Sequence, residues 1–184
     1  MSWAREEFKT LDLGDTRLDA RAVLLAQRLG SKPMESIPNA CSGWAETQGA
    51  YRFLSNTKTD WHALLQPHWD CSIERMRPHA VVLNIQDTTE LDFNGRQTTG
   101  LGPLSYEAQR GMYLHPTYAV SPQREPLGVL DAWMWAREPR DADGVRGVAP
   151  NLEINASLGR VQAHLDGSMP FRVECANLNG PPPG

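Results

Sequence analysis

The sequence is short of several things that would have settled its class at once. No apolar run approaches the roughly 20 residues needed to span a bilayer. The N-terminal stretch Met1-Ser2-Trp3-Ala4-Arg5-Glu6-Glu7 lacks the basic and apolar regions of a secretory signal. Neither observation points to a membrane, and the cytoplasm is the default location. Cys41, Cys71 and Cys175 are odd in number and widely spaced, with no C-x-x-C pair. A disulfide framework and a structural zinc site are both disfavoured by that spacing, leaving ordinary thiols. The histidines show no H-x-x-x-H spacing either. There is no basic excess: the formal net charge is −4, and residues 1–60 hold eight basic and eight acidic side chains. Nucleic acid binding normally leaves a basic footprint, so any such function must come from how charge is arranged.

What is present suffices for a folded core, with 40% hydrophobic residues in a chain of 184. Asp15 can cap a helix running to about Leu29, with Gly30 as its stop. Leu18, Ala22, Leu25, Ala26 and Leu29 make its buried stripe. Arg17, Arg21 and Arg28 fall within about 40° of one another on the helical wheel. A locally neutral segment thus presents one basic edge, and Arg17 to Arg28 spans about 16 Å, enough for two or three phosphates. A second helix is expected over 43–54, with Trp44, Thr47, Tyr51 and Leu54 on one side and the two aromatics packing the core. A third should run from Asp60 to Met76, with Trp61, Leu64, Leu65, Trp69, Ile73 and Met76 inward and Pro78 closing it. Residues 1–78 therefore read as an all-helical domain.

The period then changes. Residues 80–86, Ala-Val-Val-Leu-Asn-Ile-Gln, begin as an apolar, β-branched strand of the kind found in the middle of a sheet. Residues 113–120 and 129–135 read as two further strands, joined through turn residues over 121–128, while 96–110 reads as a polar loop. Three strands in succession imply an antiparallel start to a sheet over 79–147. After Gly147 the pattern degrades, with one weak helix near 158–165 and a closing run of prolines. This tail, 148–184, reads as divergent and poorly ordered, and the chain as cut off. The fold class is α+β. Asp87, just past the first strand, stands where metal and substrate sites tend to lie in open α/β sheets, with Thr88 and Thr89 placed to orient its carboxylate. The alternative is a structural Asp that caps a turn.

Three blocks of residues carry a resemblance. The first is Trp3, Ala4 and Phe8 with Leu13-Gly14-Asp15-Thr16-Arg17 and Arg21. Gly49-Ala50-Tyr51-Arg52-Phe53-Leu54 with Asn56 makes the second. The third joins Asp87-Thr88-Thr89 to Arg110-Gly111, His115, Pro126-Leu127-Gly128, Trp133 and Trp135. In this order they resemble the Tn-five-like transposases of the IS-four insertion-sequence group, over about four-fifths of the chain. The resemblance implies a ribonuclease-H-like α/β catalytic domain, present here as its first three strands only, behind a helical domain that grips transposon ends. It matches Asp87 to the first carboxylate of an Asp-Asp-Glu triad that holds two Mg²⁺ ions. It matches Arg17, Arg21 and Arg52 to basic positions of the end-binding domain, to which the helical wheel adds Arg28. The family's second and third carboxylates, in a D-R-E-like motif and a Y-x-x-R-x-x-x-E signature, have no counterpart here, and nothing supports Glu153, Asp166 or Glu174 as substitutes. The expectation is a DNA-binding transposase fragment, inactive as a nuclease alone. Its partners would be inverted-repeat DNA and a homodimer or a mixed assembly with full-length transposase. The rival readings are a stand-alone regulator of transposition and an unrelated helical module in which Asp87 is structural.

Overall fold

A computed structural model describes residues 2–95, 98–106 and 108–138, together with the backbone of a strand at 172–177. The chain divides into two compact units, Met1–Cys71 and Ser72–Gly184.

The first unit is helical. It contains α1 (Trp3–Glu7), α2 (Thr16–Ser31), α3 (Ile37–Ala40), α4 (Trp44–Leu54) and most of α5 (Trp61–Met76). Asp15 caps α2 as expected, its carboxylate accepting from the Arg17 amide at 2.9 Å. Asp19, one turn on, accepts from the Leu13 amide at 2.9 Å and fixes the angle at which the chain enters. The core joins Leu13, Ala22, Leu25, Cys41, Ala50 and Phe53, with Leu11, Leu18, Ile37 and Leu64 packed around them. At the far side Glu7 Oε1 lies 2.6 Å from His68 Nδ1, tying α1 to α5.

Three expectations for this unit need correction. Gly30 does not stop α2, which continues to Ser31 with Lys32 as its cap. Gly30 serves packing instead, since a Cβ there would lie 2.5 Å from the indole of Trp3. The short helices α1 and α3, of five and four residues, were not foreseen, because neither spans two turns and no periodicity can show. The face of α4 was misassigned. Thr47, Ala50 and Phe53 are buried, whereas Trp44, Tyr51 and Leu54 are exposed. Close approach explains the difference: α4 meets its neighbours through Gly49 and the fully buried Ala50, a contact with no room for an indole.

The second unit opens with the last turn of α5. Met76 packs with Val82, Ala119, Leu127 and Leu130, and Arg75 Nε donates to the Leu127 carbonyl at 2.5 Å. Gly128 is required here. Its φ is +133°, a region closed to most L-residues, and a Cβ would collide with Ser72 Oγ.

Among the described residues six strands form one sheet: β1 (Val81–Gln86), β2 (Thr89–Asp92), β3 (Gly102–Pro103), β4 (Arg110–Val120), β5 (Pro126–Trp135) and β6 (Arg172–Asn177). The long strand β4 organises it. On one edge it pairs antiparallel with β1, Leu83 opposite Val120 through Gln86 opposite Thr117, and then with β2, Thr89 opposite Leu114 through Asp92 opposite Gly111. Asp87 and Thr88 step out of the ladder between these two runs. β5 pairs antiparallel with β4, with irregularities at Thr117/Tyr118 and Ala119/Val120. β6 lies parallel to β1 on its other side, Val81 opposite Arg172 through Gln86 opposite Asn177.

The α+β class is therefore observed, and the three expected strands correspond to β1, β4 and β5. The count of three is corrected: β2 lies between β1 and the expected polar loop, β3 falls within that loop, and the tail supplies β6. Two residues at β3 and four at β2 are too few to display a period. The expected helix near 158–165 lies outside the described residues.

Candidate nucleic-acid interface and carboxylate site

The basic edge of α2 runs along the flank of α4 rather than standing alone in solvent. Arg17 is the most open, with its side chain 90% exposed, and it folds back on its own capping residue, Nη2 lying 3.0 Å from Asp15 Oδ2. That side-chain hydrogen bond, with help from the Arg17 amide, holds the Asp15 carboxyl below its ordinary range. Arg21 lies over Gly49, where a Cβ would stand 2.8 Å from the guanidinium carbon, so glycine makes the approach possible. Arg28 grips Glu46 with both branches, at 2.7 and 3.1 Å, and Glu46 also accepts from the Ser42 amide at 3.0 Å. Arg28 first, and the Ser42 amide second, lower the Glu46 pKa. The pair is partly sheltered, at 35% and 16% side-chain exposure, so solvent screens it incompletely.

This clamp sets the orientation of α4 against α2. Its contribution has a defined pH sense: a carboxylate depressed by folding stabilises above its unfolded pKa, and the gain is lost as pH falls through the folded value. Glu46→Gln should therefore lower the thermal midpoint at neutral pH, and its deficit against wild type should shrink on acidification below the ordinary glutamate pKa. A deficit independent of pH would show that packing, not charge, is what Glu46 supplies.

With α4 so held, Trp44, Ala45, Gln48, Tyr51, Arg52 and Leu54 are its exposed residues. Of the predicted contact residues, Arg21 and Arg52 border the accessible face of α4, Arg17 is exposed at the start of α2, and Arg28 has a structural use that a helical wheel could not show.

Asp87 is exposed and directly follows β1. Its neighbours on both sides are anchored. Gln86 is buried and its Nε2 donates to Thr117 Oγ1 at 2.8 Å. The Thr88 amide donates to Asp87 Oδ1 at 2.7 Å, while the Thr88 hydroxyl lies 2.7 Å from His115 Nδ1. Of the two threonines, Thr88 meets the carboxylate through its amide, and Thr89 pairs in β2. His115 is 2% exposed, and burial lowers its pKa against the opposing pull of the Asp87 charge. Sequence reasoning placed His115 in a motif without a role. Its signal was the period of two in β4, which puts Tyr113, His115, Thr117 and Ala119 on one buried face.

Among the described residues no three His, Cys, Asp or Glu side chains come together in a way that could hold a metal ion. Asp87 by itself does not fit the two-ion arrangement. Glu153 and Asp166 lie outside the described residues, and Glu174 falls in β6, opposite Leu83. Cys41 is a buried free thiol, and Cys71 Sγ lies 3.6 Å from the Glu7 carbonyl oxygen. No helix among the described residues is long and apolar enough to cross a membrane.

Residues 1–59, which include α1 to α4, the basic edge and the Arg28–Glu46 clamp, match the family model described as transposase DNA-binding. That match speaks against an unrelated helical module at residues 1–59 and does not extend to Asp87. The front of this chain is thus similar to transposase DNA-binding domains.

Proposed function

We propose that the chain is the DNA-binding front part of a cut-and-paste transposase of the IS-four group, carrying an incomplete catalytic domain. The match of residues 1–59 is the observation that carries the reading. The bound DNA would be the inverted-repeat ends of the element, with Arg17, Arg21, Arg28 and Arg52 meeting phosphates. Asp87 would be the first carboxylate of an Asp-Asp-Glu set that binds Mg²⁺ in complete relatives. Its position after a central strand supports this, as does the mixed sheet in which β1 has an antiparallel neighbour on one side and a parallel one on the other. A ribonuclease-H-like sheet would place its first carboxylate in that way. At the end of β6, opposite Gln86, stands Asn177.

A second reading, a regulator that occupies transposon ends or joins full-length transposase in a mixed assembly, draws support from the first unit having its own core. One experiment tests what both readings share. Purified chain should bind duplex DNA bearing the inverted repeats that flank its reading frame, more tightly than a scrambled duplex at the same salt. Equal affinity for the two duplexes would remove end recognition.

A further inference from the structure

The outward face of α4 is not spent on the fold. Trp44 is 76% exposed and Tyr51 50%, although each would bury a large apolar surface if turned inward. Singly exposed apolar residues need no explanation. Here, however, Trp44, Gln48 and Tyr51 fall within about 60° on the wheel of one helix, so they form a single strip. Trp44 and Tyr51 are seven positions apart, which is about 10 Å along the axis and close to three base-pair steps of about 3.4 Å. Arg52 lies beside the strip, and Arg21 approaches α4 at Gly49 on that same border, whereas Arg28 meets Glu46 on the side of the helix away from the strip. An apolar strip with a cationic border is complementary to a groove floor lined by phosphates.

We infer that this face reads base pairs in the major groove of duplex DNA, and that it selects A·T pairs. Resting on the proposed DNA-end function, the inference supplies the specificity that the arginines cannot, since phosphate contacts carry no sequence information. The major groove, about 12 Å wide, admits a helix. Within it thymine alone presents a methyl group, the apolar surface suited to the indole of Trp44 and the ring of Tyr51. Gln48, exposed between them, carries the donor and acceptor that pair with N7 and N6 of adenine. The Arg28–Glu46 clamp keeps the strip facing outward, so the reading surface is formed before DNA arrives.

The test selects duplexes from a pool with 20 random base pairs, using the full chain. The enriched motif should contain A·T pairs spread over about three steps. Trp44→Ala and Gln48→Ala, both at exposed positions, should lose the preference at separate positions of that motif while retaining the helical circular dichroism of wild type. Replacing thymine by uracil in the enriched duplex removes only the methyl groups. It should weaken wild-type binding about tenfold, the scale of discrimination expected for base contacts, and leave the double variant Trp44→Ala/Tyr51→Ala unaffected. Base substitution without protein substitution keeps the test independent of folding. Binding without enrichment, or an enriched motif indifferent to uracil and to both substitutions, would overturn the inference while leaving DNA binding intact. Tighter binding of single strands than of duplex would also overturn it, in favour of base stacking. No binding to any duplex would defeat both this inference and the function on which it rests.

Discussion

The purified chain should leave transposon-end DNA uncut in Mg²⁺ and in Mn²⁺ alike, although Asp87 stands at the end of the central strand on a well-anchored turn. In-line phosphoryl transfer in this class needs two ions about 3.5 to 4 Å apart, each held by several oxygens. Asp87 offers one carboxylate, and among the described residues no cluster completes it. On the proposed reading one carboxylate holds no ion pair, so the product should be at background rather than merely reduced. Joining residues 1–147 to the rear portion of a complete relative should restore cleavage, and Asp87→Ala in that fusion should abolish it. Asp87→Asn, which keeps the shape and the hydrogen bond from the Thr88 amide, should abolish it as well, because charge is what the ions require. Cleavage by the unfused chain that needs both metal and Asp87 would overturn this account, and would point to a ligand in the tail or to a site assembled between chains.

The arginines should govern how DNA affinity depends on salt. Each phosphate neutralised adds about 0.9 to the slope of log affinity against log salt concentration. Replacing Arg17, Arg21 and Arg52 together by Ala should flatten the slope by two to three units, about the sum of three contacts. Arg17 must leave Asp15 to reach DNA, and being 90% exposed it can do so at little cost. Arg28 is the informative case because it already holds Glu46. If Arg28 also touches a phosphate, Arg28→Ala should lower the slope by about one unit while Glu46→Ala leaves it unchanged or raises it. If Arg28 acts only by setting α4, both substitutions should weaken binding alike with the slope preserved. A triple variant with unchanged affinity and slope would assign the whole edge to solvent and remove it from the interface.

Local order was largely legible in the chain. Asp15 and Asp60 announce helix starts because a short acceptor side chain can reach an amide one turn on, and both do so here. Leu18, Ala22 and Leu25 repeat at helical spacing, and the strands β1, β4 and β5 are long enough to show a period. Asp87 and the basic edge could be named for the same reason: they depend on position within one element.

Facts about two elements at once could not be read in that way. Trp44 and Tyr51 obey an amphipathic pattern as well as Ala50 and Phe53 do, and hydrophobicity favours the aromatics for the core. The packing of α4 decided otherwise, since the close approach at Gly49 and Ala50 excludes a ring and leaves both aromatics outside. Gly30 resembles a helix stop until Trp3, 27 residues earlier, is found lying on it. Arg28 belongs to a solvent edge by spacing and to Glu46 by contact. The bracket around Asp87 joins Gln86 to Thr117 and Thr88 to His115 across two strands whose pairing no single stretch encodes. Sequence by itself determined what depends on a helical or strand period within one segment. Which face turned inward, and which charges met, was decided by volume and register between segments, because close packing is a property of pairs of surfaces and not of either surface alone.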